Sequence, residues 1–354
     1  MTKQACLLLC LGVLVPAMVW GIRPAAGDSR TAPSASAASR PTPSGSAAPQ
    51  PPRRIGLWDV KDEDVAAPDK FALKVYIVGD PVHETLTVHA LANAGLLPTP
   101  DRQAKAAVEY LRGVFWNDDP CADLFLYKRD LTLSTGFIWY KDFRAADREP
   151  DPKKFSNLSC RLLGRSHFGD LQFLHGMANA DGVDAAATRT AMLAWAKYSY
   201  RIAIGELKAN QPLLTQQAPI TGVAAEMDAM ALFVAPNVPA VPGRAIASLV
   251  HMLQDSYAAG HTRRESDGHG GLGAVVQFHS YAHQNHAKHK ADDMWRTGGS
   301  DFEKIKGVLG GPEAVAVSTE IFKFYKAKKP WADVESYLSN GPLQLAKQTL
   351  PSGP

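Results

Sequence analysis

From Ala245 to Ala259 the chain carries a single charge, Asp255, inside a stretch that is otherwise uncharged on every side. Ile246, Leu249, Val250, Leu253 and Tyr257 recur at helical spacing, while Ala247, Ser248, Met252, Ala258 and Ala259 fill the opposite side. The pattern predicts a helix from Gly243 to Ala259, buried all round and stopped by Gly260. His251 and Asp255 stand at i and i+4, on one side of that helix. An unpaired carboxylate is costly to bury, so Asp255 needs a cation to face. No Lys or Arg lies nearby in sequence. A metal shared with His251 meets the need; taken alone, the pair also suits a structural His–Asp hydrogen bond.

The neighbourhood favours the metal. Of eleven histidines, seven fall between His251 and His289. His261 follows the Gly260 stop and completes a His-x3-Asp-x5-His segment, with Thr262 and Arg263 after it. Downstream, His289 has Asp293 at i+4. Upstream, Ser166-His167-Phe168 opens an apolar helix, and Trp116-Asn117-Asp118-Asp119-Pro120 sets two carboxylates in a turn. Imidazole and carboxylate are the ligands zinc takes where cysteine is scarce, and an i, i+4 pair points both side chains at one ion.

Other residues read more plainly. His89 shares a helical face with Val82 and Leu86 and is expected in the core, and His175 is expected to pack or to support a ligand. His279, His283 and His286 fall on one helical face, with His286 the leading substitute for His289. His269 belongs to a loop, and the glycine-rich run 268–273 lacks the strand and lysine of a phosphate loop. His83-Glu84 lacks the second histidine of a zincin helix. Trp116, Phe125, Tyr127, Trp139 and Tyr140 suit either a substrate cleft or the core.

Residues 1–27, with an apolar run from Ala5 to Trp20 after Lys3, read as a secretory signal peptide. In residues 28–54, eighteen of 27 are Pro, Ser or Ala, a disordered linker or pro-segment. Residues 55–354 read as one domain, expected to be soluble once the signal is removed. That domain holds 32 basic against 34 acidic residues, which disfavours a protein built to grip nucleic acid. Cys121 and Cys160 are expected to form a disulfide in an oxidising compartment. Helices are expected from Asp80 to Gly95, from Pro100 through Leu111, and over 183–207, 301–309, 312–327 and 330–339. Strand signals are confined to Lys74–Val78 and Gly136–Tyr140, so the fold class is all-α, a single multi-helix domain.

The segment 251–261, followed by His-x3-Asp at 289–293, resembles the signature of the zinc-dependent phospholipase C and single-strand-specific nuclease superfamily. The earlier elements are similar in order, and the resemblance covers roughly residues 80–295. It implies helices around three clustered zinc ions. One ion would be held by His167, His251, Asp255 and either Asp118 or Asp119, with Asp119 slightly preferred. Asp255 would bridge to a second ion that also uses His83, and His261, His289 and Asp293 would hold the third. In the family the mature chain starts with a Trp that completes a zinc site; the nearest here is Trp58, 25 residues before His83. Either residues 28–57 are removed as a pro-segment or the site is completed otherwise, which leaves two or three ions. The implied activity is an exported (periplasmic or secreted) phosphoric ester hydrolase, first a phospholipase C. A single-strand nuclease or nucleotidase, or a non-catalytic zinc protein, are the alternatives. Asp119 would orient or deprotonate the attacking water, Asp255 would bridge the ions, and Arg263 or Arg264 would meet a phosphate oxygen. The expected partner is phospholipid or another phosphate ester, with at most peripheral membrane contact and no stable nucleic-acid complex.

Overall fold

The computed structural model describes residues 82–122, 133–149, 151–223, 226–281 and 310–353, all within the unit Arg54–Pro354. The expectations for residues 1–27, 28–54, Trp58, Lys74–Val78, Phe125, Tyr127, His283, His286, His289, Asp293 and the helix at 301–309 lie outside the described residues.

The fold is mainly helical. In chain order the helices are α1 (Val82–Asn93), α2 (Val108–Trp116), α3 (Leu133–Arg148), α4 (Arg161–Phe168), α5 (Ala185–Ala203), the short α6 (Ala229–Leu232), α7 (Val241–Asp255), α8 (Gly311–Ala327) and α9 (Trp331–Asn340). The helix expected around Asp255 is α7, buried from Ala245 through Asp255, with α2, α5, α8 and α1 packed around it. It starts where Asn237 caps a short 3-10 turn, its Oδ1 accepting from Ala240 N at 3.0 Å, and Pro242 occupies the first turn. Helix α5 begins the same way, with Asp184 Oδ1 accepting from Ala186 N at 3.0 Å. Among the described residues, no helix is long and apolar enough to cross a membrane.

The crossing of α2 and α7 is unusually close. A Cβ added to Gly113 would lie 2.3 Å from Arg244 O, so only glycine lets the two backbones approach this far. Arg244 then turns outward to Glu109, its Nε donating to Oε2 at 2.6 Å.

Two sequence expectations need correcting. Gly136–Tyr140 is not a strand but part of α3, whose Trp139, Asp142, Phe143 and Ala146 recur at helical spacing on the inward side. The fold is also not purely helical: β1 (Thr262–Ser266) and β2 (Leu272–Phe278) form an antiparallel hairpin. The glycine-rich run closes it, Gly268 and Gly270 taking φ values of 79° and 91°. Asp267 Oδ1 accepts from His269 N at 2.7 Å and Gly271 N at 2.8 Å. Ala346 N donates to Val275 O at 2.9 Å, so the C-terminal segment runs along the far side of β2. Arg264 is engaged by this framework, donating to Ser256 O at 2.7 Å and Pro342 O at 2.8 Å with its guanidinium over the Tyr257 ring. Arg263 is exposed on the hairpin.

Candidate metal centre

Five segments bring imidazoles and carboxylates together. Helix α7 contributes His251 and Asp255, and the turn after it His261. Helix α1 contributes His83, the turn after α2 contributes Asp118, α4 contributes His167, and a 3-10 turn (Gln172–His175) contributes His175. Asn117 fixes the α2 turn on α7: its Nδ2 donates to Leu174 O at 2.6 Å, and Ser248 Oγ donates to its Oδ1 at 2.6 Å. The Cys121–Cys160 disulfide forms as expected and ties this turn to the start of α4.

The ring protons of the histidines are committed away from the centre. His251 Nδ1 donates to Val114 O, reached because α2 and α7 cross so closely, and His167 Nδ1 donates to Leu163 O at 3.0 Å. His175 is turned the other way: its Nε2 donates to Asn117 O at 3.1 Å, leaving Nδ1 facing inward. His83 Nδ1 lies 2.9 Å from Gln254 Oε1, an acceptor, so Nε2 faces inward.

Lone pairs therefore converge. Asp255 Oδ2 lies 2.9 Å from His251 Nε2 and 2.9 Å from His175 Nδ1, which are themselves 3.1 Å apart. Four ligands at zinc's ordinary bond lengths stand about 3.3 Å apart, so this triangle is close to one face of a tetrahedral site. The other carboxylate oxygen, Oδ1, faces His83 Nε2 at 3.1 Å. One carboxylate thus serves imidazoles on both of its oxygens. Among the described residues, the ion-pair partners of Asp255 are all histidines. Asp118 extends the group, its two oxygens each 4.0 Å from a nitrogen of His167 or His251. Three sets have donor atoms within 4.8 Å of one another: His83, Asp118 and His251; Asp118, His167 and His175; and His175, His251 and Asp255. These buried groups could hold a metal ion.

The electrostatics follow from this packing. Burial pushes the Asp255 carboxyl up, but the imidazoles of His251, His261, His83 and His175 around it outweigh the burial and hold the group well below the usual carboxylate range. Burial pulls His83 down, yet Asp255 and Asp118 raise it to about 10. His167 is lowered to about 3 by burial and by the neighbouring His175. Without a metal, a proton on His83 supplies part of the positive charge that the carboxylate needs.

The sequence-level ligand set is thus brought together in part. His83, Asp118, His167, His251 and Asp255 meet. His261 is buried nearby, its Nδ1 donating to His175 O at 2.6 Å and lying 3.9 Å from Asp255 Oδ2. It belongs to none of the three sets among the described residues, and its expected companions His289 and Asp293 lie outside those residues. Asp119 is buried and belongs to none of the three sets among the described residues, and its charge acts on Arg112. His175, expected to pack or support, instead faces Asp255 directly. The rest follow simpler lines. His89 is half-buried on α1, His269 is exposed at the hairpin tip, and His279 Nδ1 donates to Gly260 O at 3.1 Å. Trp116 belongs to the core, stacked on Trp195.

An aromatic wall stands beside His167. Phe143 meets the His167 ring edge-on at 5.1 Å, Trp139 stacks on Phe143, and Phe168 meets Tyr281 at 5.5 Å. Trp139 Nε1 donates to the Asp118 backbone carbonyl at 2.9 Å, which joins this wall to the turn that carries the carboxylate. No protein-family model, curated protein or solved structure matches the chain.

Proposed function

We propose that the chain is an exported, zinc-dependent phosphoric ester hydrolase of the superfamily its sequence resembles, acting on phospholipid as a phospholipase C. The observation that carries the reading is the convergence of lone pairs on Asp255. His251 Nε2, His175 Nδ1 and Asp255 Oδ2 stand within 3.1 Å of one another, with the outer ring nitrogens hydrogen-bonded to carbonyls. Zinc is favoured over softer or harder ions because the donors are nitrogen and carboxylate oxygen and the described cysteines are joined in a disulfide. That disulfide also suits the oxidising compartment expected from the N-terminal sequence.

His175, His251 and Asp255 would hold one ion, and His83 with the second oxygen of Asp255 its neighbour. Bound zinc supplies Lewis acidity toward a phosphoryl oxygen and water activated near neutral pH. The carbonyls of Val114, Leu163 and Asn117 each accept from one ring nitrogen and so would aim the other nitrogen inward. Asp118, 30% exposed and bordering His167 and His251, would orient a water and take its proton, the role the sequence reading gave to Asp119. A second reading, a nuclease or nucleotidase, draws on the aromatic side chains Phe143, Phe168 and Tyr281 grouped near His167, the residue type that stacks on a nucleobase. The same residue type suits a quaternary ammonium headgroup.

Purified protein should hydrolyse phosphatidylcholine, lose the activity to a chelator and regain it with zinc. Single-stranded nucleic acid and a chromogenic phosphodiester, assayed beside it, separate the two readings. Absence of hydrolysis on all three by zinc-loaded protein, or full activity in chelator, would overturn the proposal.

A further inference from the structure

We infer that Gln254 is a positioning residue, which fixes the ring-nitrogen tautomer of His83 and is itself oriented by Ser318 on helix α8. The inference rests on the metal reading of the centre. His251, His167 and His175 are held by backbone carbonyls, which can only accept. His83 is held by a side-chain amide, which could present either its oxygen or its nitrogen. The surroundings decide. Ser318 Oγ donates its one proton to Ala314 O at 2.6 Å. Toward Gln254, 3.3 Å away, that hydroxyl can therefore only accept, so the amide must turn its Nε2 to Ser318. The same Nε2 lies 3.1 Å from Thr87 Oγ1. With both contacts on the nitrogen, Oε1 is left for His83 Nδ1 at 2.9 Å, and Nδ1 must carry the proton. His83 Nε2, 3.1 Å from Asp255 Oδ1, is then the nitrogen that would offer its lone pair to zinc once zinc takes the place of the second ring proton. The chain of commitments runs from Ala314 through Ser318, Gln254 and His83 to the carboxylate, and each link is buried or half-buried.

The full chain is purified as the parent, Gln254→Leu, Gln254→Glu and Ser318→Ala. Zinc affinity is read by competition with a chromophoric chelator, and the His83 ring by proton–nitrogen correlation spectra of the zinc-loaded forms, assigned against His83→Ala. In the parent, His83 is expected to show a slowly exchanging Nδ1 proton. Gln254→Leu should lose that signal and bind zinc 10–100-fold more weakly, the usual effect of removing such a supporting contact. Gln254→Glu keeps an acceptor and should retain both signal and affinity, whereas Ser318→Ala frees the amide to turn and should weaken binding several-fold. A residue that only packs would lower the melting temperature and leave the Nδ1 signal and affinity unchanged. Unchanged signal and affinity in Gln254→Leu overturn the inference while the metal reading stands; if Gln254→Leu does not fold, unchanged affinity in Ser318→Ala overturns it equally. A parent that binds no zinc overturns both.

Discussion

Replacing Gly113 with alanine tests whether the close crossing of α2 and α7 assembles the metal centre. The new Cβ would lie 2.3 Å from Arg244 O and 2.4 Å from Arg244 Cα, where ordinary contact begins near 3.4 Å. The helices must therefore part by roughly 1 Å, because the atoms struck are backbone and no rotamer change relieves them. Overpacking of this kind costs about 1–3 kcal/mol, and a backbone clash belongs at the upper end. Alanine's better helix propensity returns about 1 kcal/mol, which leaves a net loss of about 2 kcal/mol. In a domain of this size that lowers Tm by roughly 3 °C. Zinc binding should suffer separately. Val114 O, next in the chain, accepts from His251 Nδ1, and the added separation takes that contact beyond hydrogen-bond range. Zinc affinity should fall about 10–100-fold. Calorimetric melts and chelator competition read the two effects. Gly273→Ala, whose Cβ would meet nothing nearer than 3.5 Å, serves as the control and should change neither. Parental melting in Gly113→Ala, or lower melting with undiminished zinc affinity, would refute the link between crossing and centre.

Replacing Cys121 and Cys160 by serine opens a loop spanning 39 residues and should lower stability by about 4 kcal/mol on the chain-entropy estimate. Zinc affinity should fall with it, since the bridge ties the Asp118 turn to the helix of His167; equal affinity in reduced and oxidised protein would count against this. Asp118→Asn should weaken zinc binding at least tenfold with little change in melting, whereas Asp119→Asn should lower melting and spare zinc. The opposite pattern would make Asp119 the ligand. In metal-free protein, His83 is raised from 6.5 to about 10, so its stabilisation is complete below pH 6.5 and fades as pH climbs toward 10. His167, lowered to about 3, stabilises above pH 6.5 and loses that effect as pH falls toward 3. The metal-free melting temperature should therefore peak near neutrality. Zinc in place of the His83 proton should flatten the alkaline side, and an identical slope with and without chelator would contradict it.

Much of the helical framework is legible from residue pattern. An uncharged segment with one Asp can be little other than a buried helix, and α5, α8 and α9 fall within a few residues of their expected bounds. The failures share a cause. Gly136–Tyr140 is too short an apolar run for its period to separate strand from helix; only within the longer α3, whose Asp142 Oδ2 accepts from Cys160 N at 2.8 Å, does its helical spacing show. The hairpin was hidden because β1 is mostly charged and exposed, while β2 gains its second neighbour from residues 344–350. Pairing of that range leaves no trace in a local window.

For the centre, pairs on one helix were readable and choices between near neighbours were not. Asp118 and Asp119 are adjacent, yet among the described residues only Asp118 belongs to the sets with the imidazoles. Asp119, buried close behind, feels the charge of Arg112 seven residues earlier, which the sequence spacing alone does not weigh. His175 carried a subtler sign, the glycine after it. Gly176 has φ 62°, and a Cβ there would come 3.0 Å from Ser256 N, so the backbone of this turn lies directly against the end of α7. That approach gives His175 two tasks through different atoms. Its ring faces Asp255 Oδ2 at 2.9 Å, while its carbonyl accepts from His261 Nδ1 at 2.6 Å. Removing the ring therefore removes one candidate ligand without releasing His261, whereas displacing the turn would disturb both.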